Sequence, residues 1–204
     1  MKKRIEFILG AAFACTVSAL AGDAKDLKLT SPNGVHTVLF QQKQISPEVN
    51  EVHYRVSYKG QPVLEESRAG LGLDNRIWEM ALGVRDLKQP ACWMDNMEVD
   101  SVAYLPAVDN LWHPFYGERS TVRNAYHAAT MYLSKKDGSR YRLNIEVRAY
   151  DEGIAFRYFF PEHPKAIFHK VVADLTEYTF PEGTMAWTEQ WAQAHFEHLA
   201  IDDI

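Results

Sequence analysis

The run Tyr141, Leu143, Ile145, Val147, Ala149 constrains this chain more than any other feature. Apolar residues occupy every second position, with Arg142, Asn144, Glu146 and Arg148 between them. A strand sends successive side chains to opposite faces, so the pattern specifies one buried face and one wet face. A helix, with its period of 3.6, would scatter the same residues around its circumference. The period of two recurs in Val35, Thr37, Leu39, in Val52, Tyr54, Val56, Tyr58 and in Ile154, Phe156, Tyr158, Phe160. β-Branched and aromatic residues fill these runs, as a half-buried pleated surface favours.

Turn chemistry separates the runs. Ser31-Pro32-Asn33-Gly34, Lys59-Gly60, Lys136-Asp137-Gly138 and Asp151-Glu152-Gly153 are strong turn signals. The last two flank a strand over 139–150 and predict a meander of three antiparallel strands around it. Helical patterning is scarce, and 74–87 is the best candidate. Many strands at short spacing predict an all-β fold, a sandwich of antiparallel sheets rather than a parallel α/β sheet.

The N-terminus reads as an address. Lys2, Lys3 and Arg4 precede a mostly apolar stretch, and Ala19-Leu20-Ala21 fits the small-x-small rule, so cleavage is expected after Ala21. Two alternatives remain: a buried first helix, and a lipoprotein acylated at Cys15. Residues 1–21 are thus a signal peptide and 22–204 one domain, with a secreted or periplasmic destination. Without residues 1–21 the chain holds 19 Lys+Arg and 26 Asp+Glu, a net of −7, and Cys92 is its remaining thiol. One thiol cannot form an internal disulfide. No stretch after residue 21 approaches 18 consecutive apolar residues, so no membrane-spanning helix is expected there.

The charge balance argues against nucleic acid, because there is no basic stripe to hold phosphates. The 47% apolar and 24% charged fractions argue against disorder. There is no GxSxG elbow, no phosphate-cradling glycine loop and no HExxH.

Two segments could carry binding chemistry. Trp112-His113-Pro114-Phe115 leads into Tyr116-Gly117-Glu118-Arg119. Aromatic rings stack on the apolar faces of sugars, and a carboxylate beside a guanidinium serves the hydroxyls. Trp112, Tyr116, Glu118 and Arg119 are therefore candidate carbohydrate contacts; the alternative is a structural Glu118–Arg119 ion pair at the start of a strand. Near the C-terminus, Trp187, Trp191, His195, Phe196, Glu197 and His198 form a polar-aromatic run. His195 and His198 are either surface histidines or two ligands of a metal on a helical turn. Arg148 and Arg157, on adjacent strands, are expected to pair with acids across the sheet.

Taken in order, several motifs carry a resemblance. They are Leu29-Thr30-Ser31-Pro32-Asn33-Gly34, Tyr54 to Val63, Ser67-Arg68-Ala69-Gly70-Leu71-Gly72-Leu73, Tyr116-Gly117-Glu118-Arg119, Val147 to Tyr158, Phe180-Pro181 and Trp187. The set resembles the N-terminal domain of glycoside hydrolase family 97, a family of α-glucosidases and α-galactosidases. The resemblance covers nearly all of residues 22–204. It implies a β-super-sandwich similar to the galactose-mutarotase-like folds, followed in the family by a (β/α)8 catalytic barrel and a C-terminal β-domain. It further implies calcium dependence, and a catalytic carboxylate pair that lies in the barrel and is missing from these residues. By the same resemblance Glu197 is the candidate calcium ligand, with Glu189 as runner-up. One such ligand is far from the six to eight oxygens that Ca²⁺ takes, so weak or no calcium binding is expected from this chain alone.

Three functions stay open at this point. The chain is part of an exo-acting α-glycosidase, supporting the barrel and its pocket; or a free-standing carbohydrate-binding module acting through Trp112, Tyr116 or Trp191; or an interaction domain with no sugar role.

Overall fold

The computed structural model describes residues 25–73, 92–163, 169–189 and 191–204. The expected signal peptide, Cys15 and the helix candidate at 74–87 lie outside the described residues. In chain order the strands are β1 (Leu27–Thr30), β2 (His36–Ser46), β3 (Val49–Tyr58), β4 (Gln61–Ala69), β5 (Leu71–Leu73), β6 (Met97–Trp112), β7 (Val122–Lys135), β8 (Arg142–Tyr150), β9 (Gly153–Phe159), β10 (Val171–Asp174), β11 (Met185–Thr188) and β12 (Glu197–Ala200). A single 3₁₀ turn, Ile201–Asp203, is the helical element among the described residues.

Two four-stranded antiparallel meanders, β1-β2-β3-β4 and β6-β7-β8-β9, face one another, and two short ribbons, β5-β10 and β11-β12, complete the topology. The fold is therefore the all-β antiparallel sandwich that the alternation predicts. The β7-β8-β9 meander around 139–150 is present in register, with Thr130 opposite Glu146 and Glu146 opposite Arg157.

The turns explain the connections. Ser31 is buried; its hydroxyl donates to Asn33 Oδ1 at 2.7 Å and accepts from the His36 amide at 3.0 Å. Gly34 then takes φ +77°, which a Cβ would oppose. Lys59 and Gly60 both have positive φ, 50° and 79°, as the two-residue type I′ hairpin turn between β3 and β4 requires. The Asn33 amide reaches across to the Asp151 carboxylate at 2.8 Å, tying a turn of one sheet to a turn of the other.

Alternate residues of the two sheets form one core. Leu27, Leu29, Val38, Phe40, Val52 and Tyr54 come from the first sheet, and Met131, Leu133, Leu143, Ile145, Val147 and Ala149 from the second. Each large aliphatic side chain buried this way contributes about 1.5–3 kcal/mol. Phe40 stacks on Tyr54 at 5.3 Å, and Phe156 of the opposite sheet meets both rings edge-on at 5.3 and 5.2 Å.

One strand differs in phase from the sequence reading. On β2 the core takes Val38 and Phe40, while Thr37 and Leu39 point to the outer face. Both faces of this strand carry apolar residues, so periodicity alone selects the wrong side; the Phe40 ring decides it.

β4 would be an open edge. Residues 174–180 cover it as an irregular strap. The Leu175 amide donates to the Gly70 carbonyl, the Glu177 amide to Arg68, and the Glu65 amide to Thr179. At the other edge β6 is long and broken by bulges, one between Leu105 and Val108. Pro106 lies in that bulge, where its missing N–H leaves no gap in the ladder.

Candidate functional site

The paired ends of β6 and β7 extend past the core as an arm. Strand pairing persists to Trp112 opposite Val122. Leu105, Leu111 and Trp112 remain exposed along it, while Tyr104, opposite the core residue Ala129, accepts the Lys28 amide of β1 on its hydroxyl at 3.2 Å. At the tip the chain turns through His113–Thr121. The ring of His113 fastens this turn, its Nδ1–H donating to the Ser120 carbonyl at 3.0 Å, with Thr121 Oγ1 at 3.2 Å. Below the tip, the Arg123 guanidinium grips Asp109 by both carboxylate oxygens at 2.8 and 2.7 Å. That fork holds the Asp109 carboxyl below its ordinary range.

Four predicted sugar contacts, Trp112, Tyr116, Glu118 and Arg119, thus share one exposed tip. Phe115 and Tyr116 are almost free of neighbours, at 105% and 90% relative exposure. Glu118 and Arg119 are exposed and form no ion pair with each other or with any described residue. The structural ion pair offered as an alternative is therefore absent, and both charges face solvent.

The C-terminal segment makes a second exposed surface. β11 pairs only with β12 among the described strands. Trp187 lies opposite His198 and stacks on its ring at 4.7 Å and 19°. Trp187, Trp191 and Phe196 are 71%, 67% and 69% exposed. His195 lies in irregular chain and His198 on a strand, so the helical turn that would align them for a metal does not form. Gln190, within this run, lies outside the described residues.

Glu197 opens β12 opposite Thr188 and is exposed, its carboxylate without a hydrogen-bond or ion-pair partner among the described residues. Glu189 accepts the Ala194 amide at 3.1 Å and so closes the 191–194 turn. Among the described residues no group of three or more His, Cys, Asp or Glu side chains is gathered as a metal would need. These residues alone do not fit a calcium site.

Of the two sheet arginines, Arg157 bonds Glu146 directly opposite at 2.7 Å, as expected. Arg148 instead lies over the Tyr126 ring at 4.7 Å and donates to the Tyr150 hydroxyl at 3.4 Å. Cys92 is a buried free thiol, pushed up in pKa chiefly by burial.

Sequence reasoning missed a third feature. The outer face of the first sheet is hollow, with a cavity of about 570 Å³ over Thr37, Leu39, Arg55 and Ser57. The signal was the apolar Leu39 on a face that should be wet.

A two-sheet antiparallel sandwich with exposed aromatic ribbons defines the chain as an all-β domain. The chain belongs to the family described as glycosyl-hydrolase 97 N-terminal, which it matches over residues 29–202. It is 28% identical over 184 residues to a retaining alpha-galactosidase from Bacteroides thetaiotaomicron, covering 90% of this chain and 23% of that protein. Solved structures of a glycoside hydrolase family 97 enzyme from a Pseudoalteromonas species share the fold. The acarbose complex gives a TM-score of 0.69 at 20% identity, covering 87% of this chain and 25% of that one. The panose complex gives 0.63 at 21% identity, with 79% and 22% covered. The chain thus spans about a quarter or less of the length of these relatives. Among the described residues no helix is long and apolar enough to cross a membrane.

Proposed function

We propose that the chain is the N-terminal part of a secreted, exo-acting α-glycosidase of the α-glucosidase or α-galactosidase class, seated against a catalytic barrel. The observation that carries this reading is the unsatisfied aromatic surface of the β6–β7 tip and the β11–β12 ribbon. Exposed aromatics of this size are costly on a free surface and suit a partner or a ligand. The family and the short coverage of its longer relatives support a barrel as that partner. Trp112 and Tyr116 then line the rim of the carbohydrate pocket, with Glu118 and Arg119 taking hydroxyls. Hydrolysis needs two suitably spaced carboxylates, and in this reading the barrel supplies them.

Calcium enters this reading in one way only: Glu197 adds a single carboxylate to an ion held by other domains. The chain alone should then show no calcium-dependent change in melting temperature.

The test is the mass of the native secreted polypeptide, detected with an antibody raised against this domain. A band several times larger than this chain is expected. A band at the size of residues 22–204 would overturn the proposal, and sugar titration of that species would then decide whether it is a free-standing carbohydrate-binding module.

A further inference from the structure

The outer face of the β1–β4 sheet has features of a built site. Lys28, Leu39 and Arg55 lie side by side across β1, β2 and β3. In the next row Thr37 lies opposite Ser57, and Ser57 opposite Pro62. Two irregularities in β4 pairing, between Tyr54 and Val56 and between Val56 and Ser57, bend that strand. The first leaves Glu65 and Glu66 facing the Arg55 position. Bulges of this kind re-aim side chains and curve a sheet, and here they border the cavity of about 570 Å³. That volume lies within the range of small-ligand pockets.

The charges in it are unequally matched. The carboxylate of Glu66 is already taken by Lys43, with His53 Nδ1 3.7 Å away. Glu65 is exposed, and its amide donates to Thr179. Lys28 and Arg55 make no side-chain hydrogen bond or ion pair among the described residues. A chain of net negative charge therefore presents two cations without a hydrogen-bonded partner on either side of an apolar Leu39, although the Arg55 charge helps hold the Glu66 carboxyl down.

We propose that this hollow binds a small carboxylate-bearing sugar, a hexuronate. Arg55 takes the carboxylate through its two-pronged fork, with Lys28 adding charge from the other side of Leu39. Ser57, Thr37 and Glu65 meet ring hydroxyls, and Leu39 with Pro62 receives the C–H face of the ring. The site is separate from the aromatic tip and does not depend on the catalytic reading above.

The experiment is an amide-resolved NMR titration of the chain with glucuronate, glucose and acetate. Glucuronate is expected to give saturable shifts at Leu39, Arg55 and Ser57, with Kd near ~1 mM, and glucose and acetate little change there. Arg55→Met and Lys28→Met should each weaken glucuronate on the order of tenfold. Both residues are exposed, and an otherwise unchanged spectrum shows that each variant is folded. Trp112→Ala should leave the titration as it is. Equal shifts with glucose or with acetate would overturn the proposal, as would glucuronate binding that Arg55→Met leaves intact or an absence of saturable shifts.

Discussion

The hydroxyl of Tyr54 donates to the backbone carbonyl of Glu177 at 2.7 Å, across 123 residues of sequence. The ring belongs to the central cluster with Phe40 and Phe156, while the oxygen reaches the strap over the edge of β4. One side chain therefore joins the core to the cover of its open edge. Tyr54→Phe keeps the ring and strands the carbonyl. It should cost about 1–2 kcal/mol, read as a lower urea midpoint with an unchanged slope. No loss would mean that the strap is held by its other hydrogen bonds, to the β4 backbone, Ser67 and Tyr158.

Burial pushes the Tyr54 phenol up, and it pushes Tyr158 up to about 12 even though Thr176 hydrogen-bonds to it. A phenol whose pKa is higher folded than unfolded stabilises the fold fully below the unfolded value of ~10. That contribution fades as pH rises through 10 toward 12. Urea midpoints should accordingly hold steady to about pH 10 and then fall. Tyr158→Phe should make the fall shallower.

How much of this was legible in the sequence depended on whether one face of a strand was apolar. The 139–150 strand had a single apolar face, so its meander could be placed with its turns. β2 had two, and its buried phase was read as Val35, Thr37, Leu39 when the core takes Val38 and Phe40. The hollow left one local mark, the apolar Leu39 on the outer face, but its shape arises from β4 bulges that no local pattern announces. The aromatic tip was readable as composition, but not as an arm. Its exposure follows from the length of the β6–β7 pairing beyond the first sheet's cover, a tertiary property. The free state of Glu118 and Arg119 could not be deduced from their adjacency, because it depends on how the His113–Thr121 turn orients each side chain.

Arg68 holds two carboxylates in a half-buried cluster. Its Nη2 lies 2.5 Å from Asp95 and 3.1 Å from Glu51, and Glu51 in turn meets His53 Nε2 at 2.8 Å. Burial alone would lower the guanidinium pKa, but the Asp95 hydrogen bond and the nearby negative charges leave it raised. Arg68→Met should leave the two acids repelling each other, at a cost of about 2 kcal/mol at pH 7. In an Asp95→Asn background the same change should cost less, because one of the two charges is already gone. An equal cost in both backgrounds would assign the loss to packing of the side-chain stem.

Gly70 sits where the strap, the chain at Cys92 and the first sheet converge. A Cβ there would lie 3.0 Å from Cys92 Sγ and 3.2 Å from Leu175 Cβ. The Gly70 carbonyl also accepts the Leu175 amide at 3.0 Å, so the strap cannot retreat without losing a bond. Gly70→Ala should destabilise by about 1–3 kcal/mol. Cys92→Ala vacates the closest contact, and the double variant should recover part of the loss. Additive losses in thermal unfolding would place the strain at Leu175 instead.

The aromatic tip should separate stability from function. Phe115 and Tyr116 touch almost nothing, so Phe115→Ala and Tyr116→Ala should shift folding stability by no more than about 0.5 kcal/mol. If the tip lies at the rim of a carbohydrate pocket, the same changes in the full-length protein should raise KM for an oligosaccharide more than for an aryl α-galactoside or α-glucoside. An oligosaccharide reaches the rim, whereas a small aryl glycoside engages mainly the innermost subsite. A loss of about 1 kcal/mol in binding corresponds to a KM roughly five times higher when KM reports affinity. Unchanged KM for both substrates, with reduced stability of the full-length protein, would place the tip in a domain contact away from the sugar.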